Sequence, residues 1–579
     1  SIINNNATAH GGGVSVEGGN SRLYFSGKVN ISGNTCDASV AVNHACNVEL
    51  NQSSKQVINT NNGGLYQGSY IGVYVPGDDT TNPYKDYGGE KDNFGTFATG
   101  DTTTTFYSFV NDRNGLKGGI IENPSPNTIY WIQIFSLKVE KEVVSGASTT
   151  VDENEQFLFK VNIRGNATAT GQLNAKDIDS DDGDYGEMHF DSNGIDTTTA
   201  VFALKNGESI SGVNLSEGLT YEVIEYLTVD QAKKYAAMPM NGYSTSTETL
   251  TVDETTYTVV RANMYTGIIG ENKSRTDIDP YTSEVEFKNL MPVCKITDNS
   301  GNLLYQQYSW NGKTFYAPAV FTELTGDDGA FKALEGTLYT SNGSNPTSYG
   351  VSNGIQIKML IGEYTLSSTV AADTGKVTLT TALASDTLFP KQDAGNTSTI
   401  RRAFEGGSMF NVSGDLTLAT IILDGAKGTY TATANGGIAT VPSGGKLTIQ
   451  SGATLQNSKT DASYSGGAVY IASGGTVTMT GGTINKNESV GDGAGIYVAE
   501  GGILKLSGNP GFGGTGRNAS GNIITTVGNF KTGDLVSQLN GGKSYPQARQ
   551  DIFIAETQND PESVVLTGDL NVEAGSRKR

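Results

Sequence analysis

A glycine-rich motif recurs at a fixed step in the C-terminal half of this chain and limits the folds open to it. The motif reads Gly-Gly-Ala-Val-Tyr-Ile-Ala at 466–472 and Gly-Ala-Gly-Ile-Tyr-Val-Ala at 493–499. The step from Val469 to Ile496 is 496 − 469 = 27 residues. That length suits one coil of a parallel β-helix, in which three short strands stack on those of the next coil. Because one coil cannot bury its apolar face alone, the repeat predicts a stack of coils.

Related segments extend this pattern along the chain. An earlier coil is predicted from Gly-Gly-Ile-Ala-Thr-Val at 436–441 and Lys-Leu-Thr-Ile at 446–449. Asn457, Asn485 and Asn487 fit turns between strands, because asparagine tolerates left-handed backbone and its amides can stack from coil to coil. Most other segments are also short β patterns ending in glycine or asparagine turns, and only the stretch 229–237 is predicted to be helical, beginning at Asp230.

A second, longer repeat links the two ends of the sequence. The segment from Ile3 to 19 reads like the segment from Ile484 to 501, and Asn-Val-Glu-Leu at 47–50 loosely echoes Asp-Ile-Phe-Ile at 551–554. Two explanations fit this arrangement. The sequence is an excerpt of a tandem array, or copies of the chain join head to tail through open coil ends, which makes filaments when the joining does not close.

Three polar residues occupy strand positions that the pattern reserves for apolar ones. Period-two rows run Leu137, Val139, Lys141, Val143, then Tyr221, Val223, Glu225, and then Val285, Phe287, Asn289. Desolvation disfavours charged forms, so an apolar pocket favours a neutral amine beside a protonated carboxyl. Such an amine can attack an asparagine side-chain carbonyl and release ammonia. The rows therefore predict a Lys141–Asn289 amide crosslink, with Glu225 as the acid that assists it.

Plainer interpretations of the same rows stay open. Lys141 could extend its amine from the end of a sheet and form an ordinary ion pair with Glu225. Asn289 could cap the turn that precedes Pro292. These alternatives require no covalent chemistry.

Composition and charge narrow the classes of partner. With 36% hydrophobic and 17% charged residues, the chain is too apolar for a disordered protein. Its net charge of −21 makes nucleic acid and anionic membrane surfaces poor partners. No stretch is predicted to insert into a membrane and no LPxTG-like motif is present, so we expect export and anchoring signals to lie outside this sequence.

Cysteines and acidic residues suggest two minor sites. Cys36 and Cys46 flank a short loop and could form a disulfide, although free thiols are the simpler expectation for three cysteines. The acidic run 177–187 suggests a calcium site with Asp177, Asp179 and Asp181 as ligands. It lacks the spacing of an EF-hand, so a solvated loop is the simpler interpretation. We expect no cofactor otherwise.

The middle of the chain resembles a Cna B-type domain of Gram-positive surface proteins and pilins. The resemblance covers 136–291 and rests on the ordered motifs Leu-Lys-Val-Glu-Lys at 137–141, Gln-Phe-Leu-Phe-Lys-Val at 156–161, Tyr-Glu-Val-Ile-Glu at 221–225 and Val-Glu-Phe-Lys-Asn at 285–289. In that family the lysine of the opening strand bonds to the asparagine of the closing strand, assisted by a glutamate. The resemblance implies these roles for Lys141, Asn289 and Glu225. The acidic insertion departs from the family pattern.

The flanking parts resemble the pectin-lyase-like β-helices of very large surface proteins of gut Clostridia, through stretches such as 416–425 and 452–458. The resulting expectation is an all-β chain of right-handed parallel β-helix (solenoid) blocks with an inserted immunoglobulin-like Cna B-type β-sandwich. The expected divisions are the end of a β-helix unit at 1–135, the β-sandwich with its isopeptide bond at 136–291, and a β-helix repeat unit at 292–579.

These features favour a structural stalk or fibre on the cell surface of a Gram-positive bacterium, with neighbouring copies of the same chain as partners. An adhesin that binds a host glycan or protein is the main alternative. A polysaccharide lyase or hydrolase is disfavoured because the three histidines and Arg401, Arg402 and Asp424 form no compact catalytic grouping in the sequence. Apart from formation of its own crosslink, the chain is not expected to be an enzyme.

Overall fold

Short strands account for most of the regular structure of this chain. The computed structural model describes residues 1–7, 12–16, 22–36, 44–45, 47–50, 57–65, 70–74, 95–96, 109–111, 118–120, 128–129, 131–164, 185–187, 191–192, 197–216, 218–271, 282–310, 313–343, 346–393, 395–461, 463–512, 516–517, 523–524, 529–532, 547–549, 551–555 and 564–570. Within these ranges there are 55 strands, one α-helix and two short 3-10 helices. The prediction of an all-β chain is confirmed.

The strands of the N-terminal part form mixed sheets. Their bounds are β1 Ile2–Ile3, β2 Asn6–Ala7, β3 Val14–Val16, β4 Arg22–Gly27, β5 Asn30–Ser32, β6 Thr35–Cys36, β7 His44–Ala45, β8 Val48–Leu50, β9 Val57–Leu65, β10 Tyr70–Tyr74, β11 Gly95–Thr96, β12 Phe109–Asn111, β13 Gly118–Ile120 and β14 Thr128–Ile129.

The strands of the middle part form two sheets that share one core, and we call β15–β25 the two-sheet unit. Their bounds are β15 Trp131–Val144, β16 Phe157–Arg164, β17 Tyr185–Glu187, β18 Asp191–Ser192, β19 Thr197–Leu204, β20 Ser209–Ser216, β21 Thr220–Thr228, α1 Gln231–Lys234, β22 Ala236–Met238, β23 Thr247–Val252, β24 Thr255–Ile268 and β25 Thr282–Leu290.

The C-terminal part holds the remaining strands and both 3-10 helices, Lys332–Glu335 and Val351–Asn353. The strand bounds are β26 Cys294–Asp298, β27 Tyr305–Trp310, β28 Lys313–Pro318, β29 Val320–Phe321, β30 Leu338–Tyr339, β31 Ser348–Tyr349, β32 Ile355–Met359, β33 Glu363–Leu366, β34 Val370–Ala371, β35 Lys376–Thr381, β36 Thr399–Arg402, β37 Phe410–Asn411, β38 Asp415–Leu418, β39 Ile422–Asp424, β40 Ala439–Val441, β41 Lys446–Ile449, β42 Thr454–Gln456, β43 Lys459–Thr460, β44 Val469–Ile471, β45 Thr476–Met479, β46 Thr483–Asn485, β47 Glu488–Ser489, β48 Ile496–Val498, β49 Ile503–Gly508, β50 Gly516–Arg517, β51 Ile523–Ile524, β52 Phe530–Thr532, β53 Gln547–Arg549, β54 Ile552–Ile554 and β55 Val564–Leu570.

From β32 to β49 the chain passes through three sheets in rotation, while β43, β47, β52 and β53 form a fourth sheet. We call β32–β55 the stacked unit. The first sheet contains β32, β35, β38, β41, β45, β49 and β55, the second β33, β36, β39, β42 and β46, and the third β34, β37, β40, β44, β48 and β54. Neighbouring strands in each sheet are parallel. Val469 pairs with Ile496, the two residues that the repeat made equivalent.

Inward-facing side chains of the three sheets form one apolar core. Strands of the stacked unit alternate buried and partly exposed residues, as in β44 and β48. The buried positions hold mainly valine, isoleucine and leucine, which pack well on a pleated surface. Outside this core, Tyr470, Tyr497 and Phe553 stack ring on ring, with centroids 5.2 and 5.3 Å apart. The repeat thus sets both the core and this aromatic stack.

Close approach between turns explains the paired glycines of the motif. Gly436, Gly466 and Gly493 have φ values of 72°, 74° and 68°, a backbone conformation that glycine adopts without a steric penalty. A Cβ at the following Gly467 would lie 2.3 Å from the carbonyl oxygen of Ala494 in the next turn. The glycines are therefore required by how closely the turns stack.

The asparagine turns were predicted partly correctly. Asn457 has the expected left-handed backbone with φ 53°, but at the next turn Lys486 takes that conformation with φ 58°, between the two asparagines. Asn487 is buried and its Oδ1 accepts a hydrogen bond from the Ser458 backbone N–H at 3.0 Å. Its Nδ2 donates to the Leu455 carbonyl at 3.1 Å and to Asn529 Oδ1 at 3.0 Å. The amides do link successive turns.

A matching set of amides links turns in the N-terminal part. Asn34 Nδ2 donates to the Ile2 carbonyl and to Asn47 Oδ1, both at 2.9 Å. At the other end of the chain, Asn529 Nδ2 donates in the same way to the carbonyl of Ile484 and to Asp551 Oδ1. The match of 47–50 with 551–554 agrees with this pattern. Ile484, however, corresponds to Ile2 rather than to Ile3, because the run of asparagines left the alignment free to slip by one residue.

An antiparallel layer precedes the stacked unit, and the sequence did not predict it. The strand β26 pairs antiparallel with β29 and with β32. The strands β27, β28, β30 and β31 form a separate antiparallel sheet. The parallel pairing begins only between β32 and β35. The strand β26 therefore covers the edge of the first sheet of the stack, at β32, which otherwise would be unpaired.

The core of the two-sheet unit continues into the C-terminal part. Phe389 is 2% exposed and belongs to this core. The loop that carries it is held by buried Lys295, whose Nζ donates to the carbonyls of Leu388 at 2.7 Å and Phe389 at 3.1 Å and lies 2.6 Å from Asp386 Oδ2. The two parts are thus joined by packing as well as by the chain.

The predicted helix is present, and one of the two expected division points falls between strands. The helix α1 lies inside 229–237, and Asp230 occupies its N-cap without a side-chain capping bond, accepting instead from Lys233 Nζ at 2.8 Å. The strand β15 runs across the expected division at 135, whereas the expected division at 291 falls between β25 and β26. No helix in the described ranges is long and apolar enough to cross a membrane.

The amide links between turns give a first prediction. In Asn487→Ala the Ser458 N–H and the Leu455 carbonyl lose their buried partner, a cost of roughly 1–3 kcal/mol. We expect hydrogen–deuterium exchange of the Ser458 amide to become roughly 10- to 100-fold faster, since about 1.4 kcal/mol is a factor of ten. The matched control is Asn485→Ala, because the Asn485 Oδ1 has no hydrogen-bond partner. Unchanged protection of Ser458 in Asn487→Ala would contradict this role.

Candidate functional site

Lys141, Glu225 and Asn289 meet inside the two-sheet unit. They are 2%, 0% and 0% exposed. Lys141 Nζ lies 3.0 Å from Glu225 Oε1, and Asn289 Nδ2 donates to the same oxygen at 2.7 Å. One carboxylate oxygen therefore contacts both the amine and the amide that the sequence rows placed in a common core.

Strand register explains why these side chains converge. The strands β15 and β25 are parallel neighbours, with Lys141 opposite Phe287 and Val143 opposite Asn289. Lys141 and Asn289 therefore lie two positions apart on the same face of one sheet, within reach of a lysine side chain. Glu225 comes from β21 in the facing sheet, where its neighbour on β16 is Phe159. The site forms where the two sheets pack.

Aromatic rings enclose the amine and the carboxylate. Lys141 Nζ lies 4.4 Å from the centroid of the Phe157 ring, which packs edge-on against Tyr235 at 5.1 Å. Phe287 packs edge-on against Phe159 at 5.2 Å and against Tyr265 at 5.0 Å. Such walls keep water away, so charges inside the pocket interact more strongly than at a surface.

Burial and neighbouring charge act on the lysine in opposite directions. Desolvation lowers the pKa of Lys141 and is the largest influence. The negative charge and hydrogen bond of Glu225 oppose that shift, and Glu142 and Glu286 add smaller opposing contributions. The amine also lies within hydrogen-bond distance of the carbonyls of Glu142 at 3.1 Å and Phe287 at 3.3 Å. The pocket therefore favours the neutral amine more than water does.

Two acceptor atoms in the pocket have no hydrogen-bond partner. They are Glu225 Oε2 and Asn289 Oδ1. An unpaired buried polar atom costs roughly 1–3 kcal/mol, so both atoms favour any rearrangement that supplies a donor. A half-turn of the Asn289 carboxamide would bring its oxygen to Glu225 Oε1. Protonated at that oxygen, Glu225 would then donate to the Asn289 carbonyl and polarise it.

The arrangement has the parts needed for amide exchange. A neutral Lys141 Nζ can serve as a nucleophile, the Asn289 Cγ as the electrophile, and Glu225 as a shared proton carrier. The aromatic walls keep out the water that would otherwise compete with the amine. The same contacts also describe a buried ion pair with an amide beside it.

Asn263 is a fourth polar residue of the pocket that the sequence rows missed. It is 0% exposed and lies opposite Glu225 on the neighbouring strand β24. The pairing shifts immediately beyond, so that Tyr226 lies opposite Arg261 and Ala262 is left without a direct partner. An asparagine in the run Val259–Tyr265 was a signal of a buried polar group, but the irregular pairing broke the simple alternation.

The other predicted sites lie largely outside the described residues. Asp177, Asp179, Asp181, Cys46 and the side chain of Cys36 lie outside the described part of the structure, so the calcium site and the disulfide stay predictions. Cys294 is a buried free thiol, and burial raises its pKa. A buried thiol with a raised pKa is unreactive.

Arg401, Arg402 and Asp424 have structural partners that the sequence analysis did not find. Arg401 Nε donates to Glu363 Oε1 at 2.9 Å. Asp424 accepts hydrogen bonds from Gln456 Nε2 at 3.0 Å and from Asn457 Nδ2 at 2.8 Å. Arg402 is 1% exposed and donates to the backbone carbonyls of residues 406, 407 and 437, and burial lowers its pKa to about 10. These groups hold neighbouring turns together.

Comparison with known proteins gives a partial match. Residues 135–275 match the profile of a family described as a domain of unknown function, DUF7601. A search of curated proteins returned no match.

Two kinds of solved structure are similar over part of the chain. A pilus-presented adhesin is 15% identical, with 31% of this chain and 37% of that chain covered and a TM-score of 0.16. A variant of the major pilin from Streptococcus pyogenes is 19% identical, with 30% of this chain and 54% of that chain covered and a TM-score of 0.15. The chain thus spans about a third to a half of the length of these two proteins.

The buried carboxylate gives a second prediction, which does not depend on bond formation. In Lys141→Met, Glu225 keeps its place in the pocket but loses its cation, and an uncompensated buried charge costs roughly 3–5 kcal/mol. Adding Glu225→Gln to the same chain removes that charge. Neither chain can form the crosslink, so the double variant should resist denaturant unfolding better than Lys141→Met. Equal stability of the two variants would argue against a buried charge at Glu225.

Proposed function

We propose that this chain is a structural element of a bacterial surface stalk or fibre, locked by an amide bond between Lys141 and Asn289. The observation that carries the proposal is the shared contact of the amine and the carboxamide with one buried oxygen of Glu225. The resemblance of 136–291 to Cna B-type domains supports the same residues in the same roles. The proposed location is the exterior of a Gram-positive cell.

The proposed reaction needs only groups inside the pocket. A proton passes from the Lys141 ammonium to Glu225, which leaves a neutral amine and a carboxylic acid. Nζ attacks Asn289 Cγ while the acid protonates Oδ1. Glu225 then carries a proton from Nζ to Nδ2. As the Cγ–Nδ2 bond breaks and ammonia leaves, Oδ1 returns its proton to Glu225 and the carbonyl re-forms. One amide replaces another, so no oxidant, cofactor or external energy source is required, and Glu225 ends protonated.

The strand arrangement supports a mechanical role for this bond. Tension enters the two-sheet unit through β15 and leaves through the end of β25, and these strands are adjacent and parallel. A bond between Lys141 and Asn289 would carry the load directly from the first strand to the last. Residues 142–288 would then be bypassed, so force could not extend them.

The fold of the rest of the chain fits a structural role better than an enzymatic one. We propose that the stacked unit is a right-handed parallel β-helix and that the two-sheet unit is an immunoglobulin-like sandwich inserted beside it. The shared apolar core at Phe389 and the hydrogen bond from the Ala147 N–H to Glu323 Oε1 at 2.7 Å support a stiff joint between them. A stiff joint passes tension from one unit to the other.

The matching amide hydrogen bonds of Asn34 and Asn529 support a tandem organisation. Asn34 and Asn529 make the same pair of contacts near opposite ends of the chain. Such equivalence is expected when a coil unit occurs more than once in a longer array. We propose that neighbouring partners of this chain are further copies of the same unit.

Intact mass of the purified chain gives the third prediction. We expect the wild-type chain to weigh less than its sequence by one ammonia, and tandem fragmentation to place the loss at Lys141 and Asn289. Lys141→Ala and Glu225→Ala should each restore the full calculated mass, because one removes the nucleophile and the other the proton carrier. Lys160→Ala is a matched control, since this lysine lies on the same unit but has no part in the pocket. A wild-type chain at full mass would exclude the bond.

Single-molecule stretching gives the fourth prediction. Without the bond, unfolding of the two-sheet unit should release residues 142–288, roughly 50 nm of chain at about 3.5 Å per residue. The wild-type chain should show no such step, and Asn289→Ala should show it. If the wild-type chain releases this length as well, the bond does not carry the load.

A further inference from the structure

The carboxamide of Asn263 is a buried polar group opposite Glu225 that the proposed reaction does not use. Its Oδ1 accepts hydrogen bonds from the backbone N–H groups of Met264 at 2.9 Å and Asn241 at 3.3 Å. Its Nδ2 has no hydrogen-bond partner, although the side chain is fully buried. The pocket therefore contains an unused donor.

The two backbone contacts fix which way this amide points. Both are N–H groups and need an oxygen, so a half-turn of the carboxamide would set donor against donor. Nδ2 must then point away from the backbone of Met264. The Tyr265 hydroxyl is close enough to Asn263 for the amide to lower that phenol's pKa against the larger rise from burial, but Nδ2 lacks hydrogen-bond geometry with it.

Strand pairing places this donor beside Glu225. Residues directly opposite on antiparallel strands have Cβ atoms roughly 4.5–5.5 Å apart and share a face of the sheet. Asn263 is opposite Glu225, and the pairing irregularity follows at once, with Ala262 also buried in the core. Irregularities of this kind re-aim side chains. Asn263 therefore faces the pocket at the point where the inward and outward alternation of β24 is interrupted.

The unused donor and an unused acceptor are thus neighbours. Glu225 Oε2 is buried without a partner, and so is Asn263 Nδ2. The two atoms are not bonded to each other as the side chains stand. We propose that Asn263 is a positioning residue for formation of the Lys141–Asn289 bond, and that a rotation of the Glu225 carboxyl lets Nδ2 donate to Oε2 during the reaction. This inference rests on the proposed function of the pocket.

The contact would control where the proton of Glu225 resides. With Oε2 accepting from Asn263, the proton taken from Lys141 sits on Oε1, the oxygen that contacts both reacting groups. From Oε1 it passes to Asn289 Oδ1 as Nζ attacks Cγ. The later transfer from Nζ to Nδ2 uses the same oxygen. Ammonia departs as the Cγ–Nδ2 bond breaks, and Oδ1 returns its proton to Oε1 as the carbonyl re-forms. Asn263 itself gains and loses no proton.

The rate of bond formation tests this role. Chains synthesised in a cell-free system are stopped in acid at intervals, and intact mass gives the fraction that has lost ammonia. We expect Asn263→Ala to react roughly 10- to 100-fold more slowly than wild type, a loss typical of removing a hydrogen bond that orients a reacting group. Asn162→Ala is the control, because Asn162 is a buried asparagine of the same sheet that bonds Glu222 and Thr199 outside the pocket. It should react at the wild-type rate.

The variant Asn263→Asp distinguishes hydrogen-bond donation to Glu225 from a purely structural contribution of this side chain. The variant keeps the oxygen that Met264 and Asn241 bind, but its second oxygen donates only when the carboxyl is protonated. Burial beside Glu225 raises the pKa of the introduced carboxyl above its ordinary range. Relative to wild type, the rate should recover as the pH falls and this carboxyl becomes protonated, whereas Asn263→Ala should show no such recovery. This variant also decides the question if Asn263→Ala does not fold.

The outcomes distinguish the two proposals. A wild-type chain that never loses ammonia overturns the bond and this role together. A wild-type chain that loses ammonia, with Asn263→Ala equally fast, overturns only the role of Asn263. Asn263→Asp that stays slow at every pH also overturns donation by this residue.

Discussion

A carboxylate oxygen buried between an amine and an amide is the constraint on which the middle of this structure depends. Glu225 reaches across from one sheet to Lys141 and Asn289 on the other, so it fixes how the sheets face each other. If Glu225 lost its contact with Lys141 and no water replaced it, its charge would be buried among aromatic rings without a partner. That would cost several kcal/mol. Burial in the same pocket lowers the pKa of Lys141, and the neutral amine is the form that can attack the Asn289 carbonyl. Structural restraint and proposed chemistry therefore have one physical origin.

The stacked unit solves a different problem with a different interaction. Each turn presents unpaired backbone edges, and the next turn pairs with them in parallel. Asparagine and aspartate side chains form hydrogen bonds with the remaining backbone groups at the corners, as Asn487 does with the Ser458 N–H. The antiparallel strand β26 covers the edge of the first sheet at β32. Lys295 holds the loop that inserts Phe389 into the neighbouring core, so the two units share apolar packing.

Strand alternation in the sequence was sufficient to select Lys141, Glu225 and Asn289, because each lies in a regular stretch where period two holds. Asn263 was missed because Ala262 interrupts the pairing of β24 beside it. The partners of Arg401 and Asp424 were missed for another reason. They come from neighbouring turns about one repeat away, and only stacking brings Glu363 and Gln456 to them. The left-handed turn at Lys486 was likewise decided by the stack, since asparagines flank it on both sides.

The sequence by itself determined that the chain is all-β, that its turns repeat, and that three polar residues belong to one core. These properties follow from local periodicity, which is set by the two-residue alternation of strands and by glycine at crowded turns. Tertiary structure decided the register of the N-terminal repeat, the antiparallel cover and the position of Asn263. Each of these depends on which backbone groups find partners across long stretches of chain. Such partners are chosen by the packing of whole sheets, and neighbouring residues do not encode them.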